Sequence, residues 1–197
     1  MENTSGNKFL EVKQKFSAEL SEFAKQRKEI HRLWNIDEVS AEYLFDFIID
    51  HDLRQLIEVG TSNGYSTFWL AQACQYNGGE MESIEVDQER FELSKKNLKR
   101  ITNLTQHFGL AENIILNLSK TYDFAFIDAG KIGYINYIKS LLPKLSDEAI
   151  IIADNVVSHQ KTVHEYLDFI DSDSQFESEL INIGTGLMIS KFKRNKE

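Results

Sequence analysis

Five short apolar runs, each followed by a stretch with helical spacing, constrain this chain more than any other feature. "QLIEV", "MESIEV", "LTQHF", "FAFID" and "AIIIAD" read as strands rich in Ile, Val and Phe. Helical segments are expected near residues 64–76, 87–100, 111–118, 131–142 and 160–171. Buried strands alternating with helices imply an α/β fold, a Rossmann-like and mostly parallel sheet covered on both faces. The tail breaks the pattern. "FESELINI" and "GLMISKF" flank "GTG" with no helix between them, so a hairpin is expected to bring an antiparallel strand into a seven-stranded sheet.

Ahead of the alternating region, Leu10, Phe16, Leu20, Phe23 and Ile30 recur near helical spacing among many charges, which predicts one amphipathic helix or two up to about Arg32. "WNIDEVSAEYLFDFIIDH" then reads as a turn and a helix with Asp37 as its N-cap. The whole of 1–197 is expected to form a single domain: a helical extension or lid over 1–33 and a core over 34–197. The formal charge of −9 disfavours a nucleic-acid partner. Cys74 is the only cysteine, which excludes an intramolecular disulfide and a cysteine metal cluster. No apolar run reaches the roughly 18 residues of a membrane span and no secretory pattern opens the chain, so a cytoplasmic location is the expectation.

In open α/β sheets, ligands bind beyond the carboxyl ends of the strands. Those ends carry Glu58 with Gly60, Glu85, Gly109, Asp128, and Asp154 with Asn155, all expected to face one crevice. The first turn, "EVGTSNG", lacks the G-x-G-x-x-G spacing of a dinucleotide site and the Gly-Lys-Ser/Thr of a P-loop. Glu58 would repel a phosphate but could attract a ligand with positive charge. S-Adenosylmethionine fits, with an ammonium, a sulfonium and no phosphate. Its carboxylate would meet Ser66 and the backbone N–H groups at the next helix start, and Glu85 would accept its ribose hydroxyls.

Two further strand ends point to catalysis. Asp128, Asp154 and Asn155 form an all-oxygen set suited to Mg²⁺ or another divalent cation such as Mn²⁺ or Ca²⁺. Lys131 follows Asp128 by three residues and is the expected proton acceptor.

With "WNI", "EVGTSNGYST", "SIEVD", "FGLAEN", "FIDAGK" and "ADNV" in this order, the chain resembles the metal-dependent small-molecule O-methyltransferases, the group containing catechol and caffeoyl-CoA O-methyltransferases. The resemblance runs from about Trp34 to Lys191 and implies the S-adenosylmethionine-dependent methyltransferase fold. It places Gly60, Ser62, Gly64, Tyr65 and Ser66, with Glu58, in the methionine-end turn, and Asn35 and Ile36 over the methionine. It places Glu85 and Val86 at the ribose, Gly109, Leu110, Ala111 and Glu112 beside the adenine, and Asp128 at the donor as well as the metal. Asp154 and Asn155 match the remaining metal ligands, and Lys131 matches the catalytic lysine. Trp34 stands where the catechol enzyme has a methionine, and Gly130 replaces a bulky aromatic.

The expected reaction is attack of a phenolic oxygen on the sulfonium methyl. A phenol, with pKa about 10, needs a cation to ionise at neutral pH. The expected partner is a small hydroxylated acceptor, with neither nucleic acid nor membrane. The N-terminal helix could serve as a lid or as the contact of a homodimer. Competing readings are a protein or nucleic-acid methyltransferase and a non-catalytic S-adenosylmethionine-binding protein. Amino-group methyltransferases on nucleic acids commonly use an Asn/Asp-Pro-Pro-aromatic turn, which a chain with Pro143 as its only proline cannot form.

Overall fold

A computed structural model describes residues 4–30 and 33–194. His31 and Arg32, at the end of the expected N-terminal helix, lie outside the described residues. The helices are α1 (Thr4–Lys15), α2 (Ser17–Glu29), α3 (Glu38–Asp50), α4 (Tyr65–Tyr76), α5 (Gln88–Asn97), α6 (Ala111–Asn117), α7 (Tyr134–Leu141) and α8 (His164–Ser172). The strands are β1 (Gln55–Val59), β2 (Glu80–Glu85), β3 (Leu104–Phe108), β4 (Tyr122–Ile127), β5 (Leu145–Ala153), β6 (Phe176–Ile181) and β7 (Leu187–Phe192).

They form one seven-stranded sheet in the order β3-β2-β1-β4-β5-β7-β6. The first five strands run parallel to one another, and β7 is antiparallel to both β5 and β6. The tail is therefore the expected hairpin, with its second strand inserted beside β5. Sequential order reverses between β1 and β4, and the crevice opens there.

Alternation along the strands feeds two cores. In β4, Phe124 and Phe126 face the layer of α1 to α4, whereas Ala125 and Ile127 face α6 to α8. Ile150 and Ile152 of β5 repeat this against Ile151 and Ala153. Cys74 is buried in the first layer, as a small apolar side chain would be.

The N-terminal segment is two helices, and Phe9, Val12, Phe16 and Phe23 on them pack into the first core. Phe9 stacks on Trp69 of α4 at 4.2 Å between ring centroids and meets Phe45 of α3 edge-on at 5.5 Å. Phe23 of α2 packs edge-on against Tyr65. A buried amide cluster ties α2 to the loop after β1. Gln26 Oε1 accepts from Asn63 Nδ2 at 3.1 Å and from Asn97 Nδ2 at 2.9 Å, and Asn97 Nδ2 also donates to the Asn63 carbonyl at 2.8 Å. Asp37 caps α3 as expected, accepting from Ser40 N at 2.7 Å. Among the described residues no helix is long and apolar enough to cross a membrane.

Candidate active site

A cavity of about 980 Å³ lies over the carboxyl ends of β1, β2, β4 and β5. Its wall includes every site residue expected from the sequence except Glu58 and Gly64. A shallower pocket of about 460 Å³ beside α6 and α7 shares only Leu110 and Glu112 with it.

The absence of Glu58 from the wall corrects the sequence reading and follows from strand parity. Glu58 shares a face of β1 with Leu56, toward α4, and is fully buried. Its register partner Ser83 donates to it at 2.7 Å, as do Ser66 at 2.6 Å and Thr67 at 2.5 Å from α4. In the structure the carboxylate is a strut between the sheet and the helix and does not reach the cavity wall. Ser66 reaches the cavity, but its hydroxyl proton is committed to Glu58, so a ligand carboxylate there would rely on the backbone N–H groups at the start of α4. Gly64 caps α4 from beneath with a left-handed backbone, against Leu98.

Burial raises the Glu58 pKa to about 7, and the three hydroxyl donors only partly oppose this. The folded state then holds a proton that the unfolded chain releases, so this group's contribution to stability falls as pH rises from about 4.5 to about 7. Glu58→Gln keeps the shape and removes the titration. Its thermal unfolding midpoint, followed across that window, is expected to decline less than that of the wild type, a difference on the order of 3 kcal/mol. Parallel profiles for the two proteins would refute the assignment.

Gly60 lines the cavity beside Asp128. With φ at +106°, it passes so close to β4 that an added Cβ would lie 2.2 Å from the Asp128 carbonyl oxygen. Across from it, Glu85 accepts Ser62 N at 2.7 Å through Oε2, and Val86 N and Asp87 N at 3.0 and 2.9 Å through Oε1. A carboxylate offers about four acceptor sites, so about one remains, on Oε2. That leaves Glu85 with part of its acceptor capacity facing the cavity. Asn35 Oδ1 is buried without a hydrogen-bond partner among the described residues. Such an orphaned acceptor suits a cationic group. Trp34 is 74% exposed, with the Arg90 guanidinium 5.8 Å from its ring centroid. These features fit a nucleoside bearing a positively charged amino-acid end.

The same cavity wall carries an acidic pair. Asp128 N bonds Val59 O and Asp154 N bonds Ile127 O, both at 3.0 Å, so the ladder extends one residue past each strand and sets the two aspartates side by side. Burial, and then the neighbouring Asp128 charge, raise Asp154 above the ordinary carboxylate range. Lys131 Nζ donates to Asp128 Oδ1 at 2.8 Å and to Tyr134 OH at 3.0 Å. Tyr134 OH donates to the Asp154 carbonyl at 3.0 Å, and burial holds that phenol well above its ordinary pKa. Tyr134 therefore fixes the lysine.

Asp154 Oδ1 accepts from Asn155 N at 2.6 Å and from Thr185 Oγ1 at 2.8 Å. Asp128 Oδ2, Asp154 Oδ2 and Asn155 Oδ1 accept no hydrogen bond among the described residues. Among those residues no three His, Cys, Asp or Glu side chains cluster as a metal site, and this set reaches three ligands only through the Asn155 amide oxygen. Two crowded carboxylates, one uncommitted amide oxygen and a single ammonium fit a hard divalent cation. Thr185, Tyr134 and Arg27 also reach this region or line the cavity without having been singled out as site residues from the sequence. Only the three-dimensional return of the hairpin and the packing of α2 place Thr185 and Arg27 there.

The sequence pattern of a family described as a methyltransferase domain matches residues 57–156. A catechol O-methyltransferase of Niastella koreensis is 33% identical over 119 residues, 57% of this chain and 53% of that protein. Caffeoyl-CoA O-methyltransferase 1 of Arabidopsis thaliana is 25% identical over 189 residues, 80% of this chain and 72% of its own length. The chain thus spans about half the length of the catechol enzyme it matches. Among solved structures, the O-methyltransferase TomG of Streptomyces achromogenes, in complex with S-adenosylmethionine, superposes with a TM-score of 0.81 at 22% identity, covering 93% of this chain and 96% of its own. The family match takes in the glycine turn, the Glu85 strand end and the acidic pair, and the chain belongs to this methyltransferase-domain family, alongside the catechol and caffeoyl-CoA O-methyltransferases it resembles.

Proposed function

We propose that the chain transfers a methyl group from S-adenosylmethionine to a hydroxyl oxygen of a small catechol-like acceptor, with a divalent cation held by Asp128, Asp154 and Asn155. The observation that carries this reading is that those three side chains and Lys131 line one cavity together with the Gly60 turn and Glu85.

In the reaction an oxygen lone pair forms the O–CH₃ bond while the S–CH₃ bond breaks, and sulfur keeps that electron pair as a thioether. A divalent cation supplies, when bound, the positive charge that lets a phenol ionise near neutral pH. The chain's own residues supply the rest. Glu85 and the backbone around Gly60 and Ser62 fix the nucleoside. Asn35 and Ile36 lie over the methionine end. Lys131 Nζ stands where it would take up the hydroxyl proton, with the Tyr134 oxygen holding it in place. Methyl transfer from a cation to an anion disperses charge, so a site that aligns the two atoms and limits water favours it.

The test is turnover of purified protein with S-adenosylmethionine and a panel of catechols and monophenols, read by mass spectrometry. Monomethylated catechol is expected with Mg²⁺ or Mn²⁺, and little with excess EDTA. Equal product in EDTA would remove the metal from the reading, and no product from any phenol would remove the acceptor class.

A further inference from the structure

The hairpin at the end of the chain returns to the acidic pair, and its turn carries a hydroxyl between two of the candidate ligands. Because β7 runs antiparallel to β5, Ala153 pairs with Met188, and the turn before β7 lands on the loop after β5. Backbone bonds staple the two together. Val156 N donates to Gly186 O at 3.1 Å, and Val157 N and Ser158 N donate to Thr185 O at 3.3 and 3.2 Å. On the opposite side the turn rests against the start of α3, where a Cβ added at Gly184 would lie 2.5 Å from Ser40 Oγ.

Within this frame Thr185 Oγ1 donates to Asp154 Oδ1 at 2.8 Å and accepts from Asn155 Nδ2 at 2.7 Å. A hydroxyl has one proton to give. With that proton on the Asp154 carboxylate, Thr185 can only accept from Asn155, so the amide must turn its NH₂ toward Thr185 and leave Oδ1 away from it. The same bond occupies Asp154 Oδ1 and leaves Oδ2 uncommitted. One hydroxyl thus sorts two side chains, and the atoms it leaves over are the two oxygens a cation needs. Asn155 itself has a left-handed backbone, with φ at 63°, so its side chain gains direction from this contact rather than from a strand.

We infer that Thr185 is a positioning residue for the divalent-cation site, an assignment that rests on the metal reading above. Thr185 is exposed to the cavity rather than packed in the core, so replacing its hydroxyl changes orientation more than folding.

The experiment titrates Mn²⁺ into the full chain and reads free ion by electron paramagnetic resonance, for wild type, Thr185→Val and Thr185→Ser. Outer partners of metal ligands typically contribute about 10- to 100-fold in affinity. Thr185→Val is expected to weaken Mn²⁺ binding by that factor, and Thr185→Ser to restore it. S-Adenosylhomocysteine affinity by calorimetry and the metal-free unfolding midpoint should stay as in the wild type. Thr185→Ala serves as a second hydroxyl-free variant should the valine protein fold poorly. Wild-type Mn²⁺ affinity in the hydroxyl-free variants, or equal loss in the serine variant, would overturn the assignment. A wild-type protein that binds S-adenosylhomocysteine but no Mn²⁺ would overturn the metal reading itself, and this inference with it.

Discussion

Asp154→Ala is expected to abolish metal-dependent methyl transfer while S-adenosylhomocysteine still binds. Asp154 is 3% exposed and shares its site with a second carboxylate, and removing it leaves one carboxylate and one amide oxygen for a cation. Lewis-acid assistance amounts to several kcal/mol, so the loss should be roughly 10³-fold in turnover. Stability should move the other way. Burial and Asp128 both disfavour the Asp154 anion, and the metal-free variant at neutral pH sheds that unfavourable charge. Its unfolding midpoint without metal is therefore expected to match or exceed that of the wild type. Steady-state turnover with Mn²⁺, calorimetry with S-adenosylhomocysteine and a metal-free melt check the three parts. Full activity in the variant would eliminate Asp154 as a ligand.

Lys131→Met should separate proton transfer from metal binding. Positioned general bases contribute about 10²- to 10⁴-fold, and turnover at neutral pH is expected to fall within that range. The ammonium now occupies Asp128 Oδ1, one of the oxygens beside the candidate ligand set. Without it, Mn²⁺ meets less competition, so metal affinity should hold or rise as turnover falls. The pair is part-buried, which makes the competition more than a solvated surface contact. Loss of turnover together with loss of Mn²⁺ binding would make Lys131 a structural prop rather than a proton acceptor.

Much of this architecture was legible in the sequence because period and order carry it. "QLIEV" and "LTQHF" coincide with β1 and β3, and the α3 cap at Asp37 follows from one acid placed before an apolar helix. The C-terminal hairpin was legible from its missing helix. What failed was direction. Glu58 stands at a strand end like Glu85 and Asp128, yet an even-odd count along β1 already points it toward α4 with Leu56. The reach of Thr185 to Asp154 depends on where β7 inserts, which no local pattern states. Glu85 was identified, but not the three backbone N–H groups that fill most of its acceptor capacity, since those follow from the loop's path.

The amide cluster of Gln26, Asn63 and Asn97 bears on any attempt to re-engineer the chain by exchange of modules. A donor N-terminus grafted at the start of α3 would arrive without the glutamine that reads Asn63, leaving that amide sealed inside with no counterpart. Chimeras would have to transplant the three positions as a set, together with the aromatic seat for Phe9.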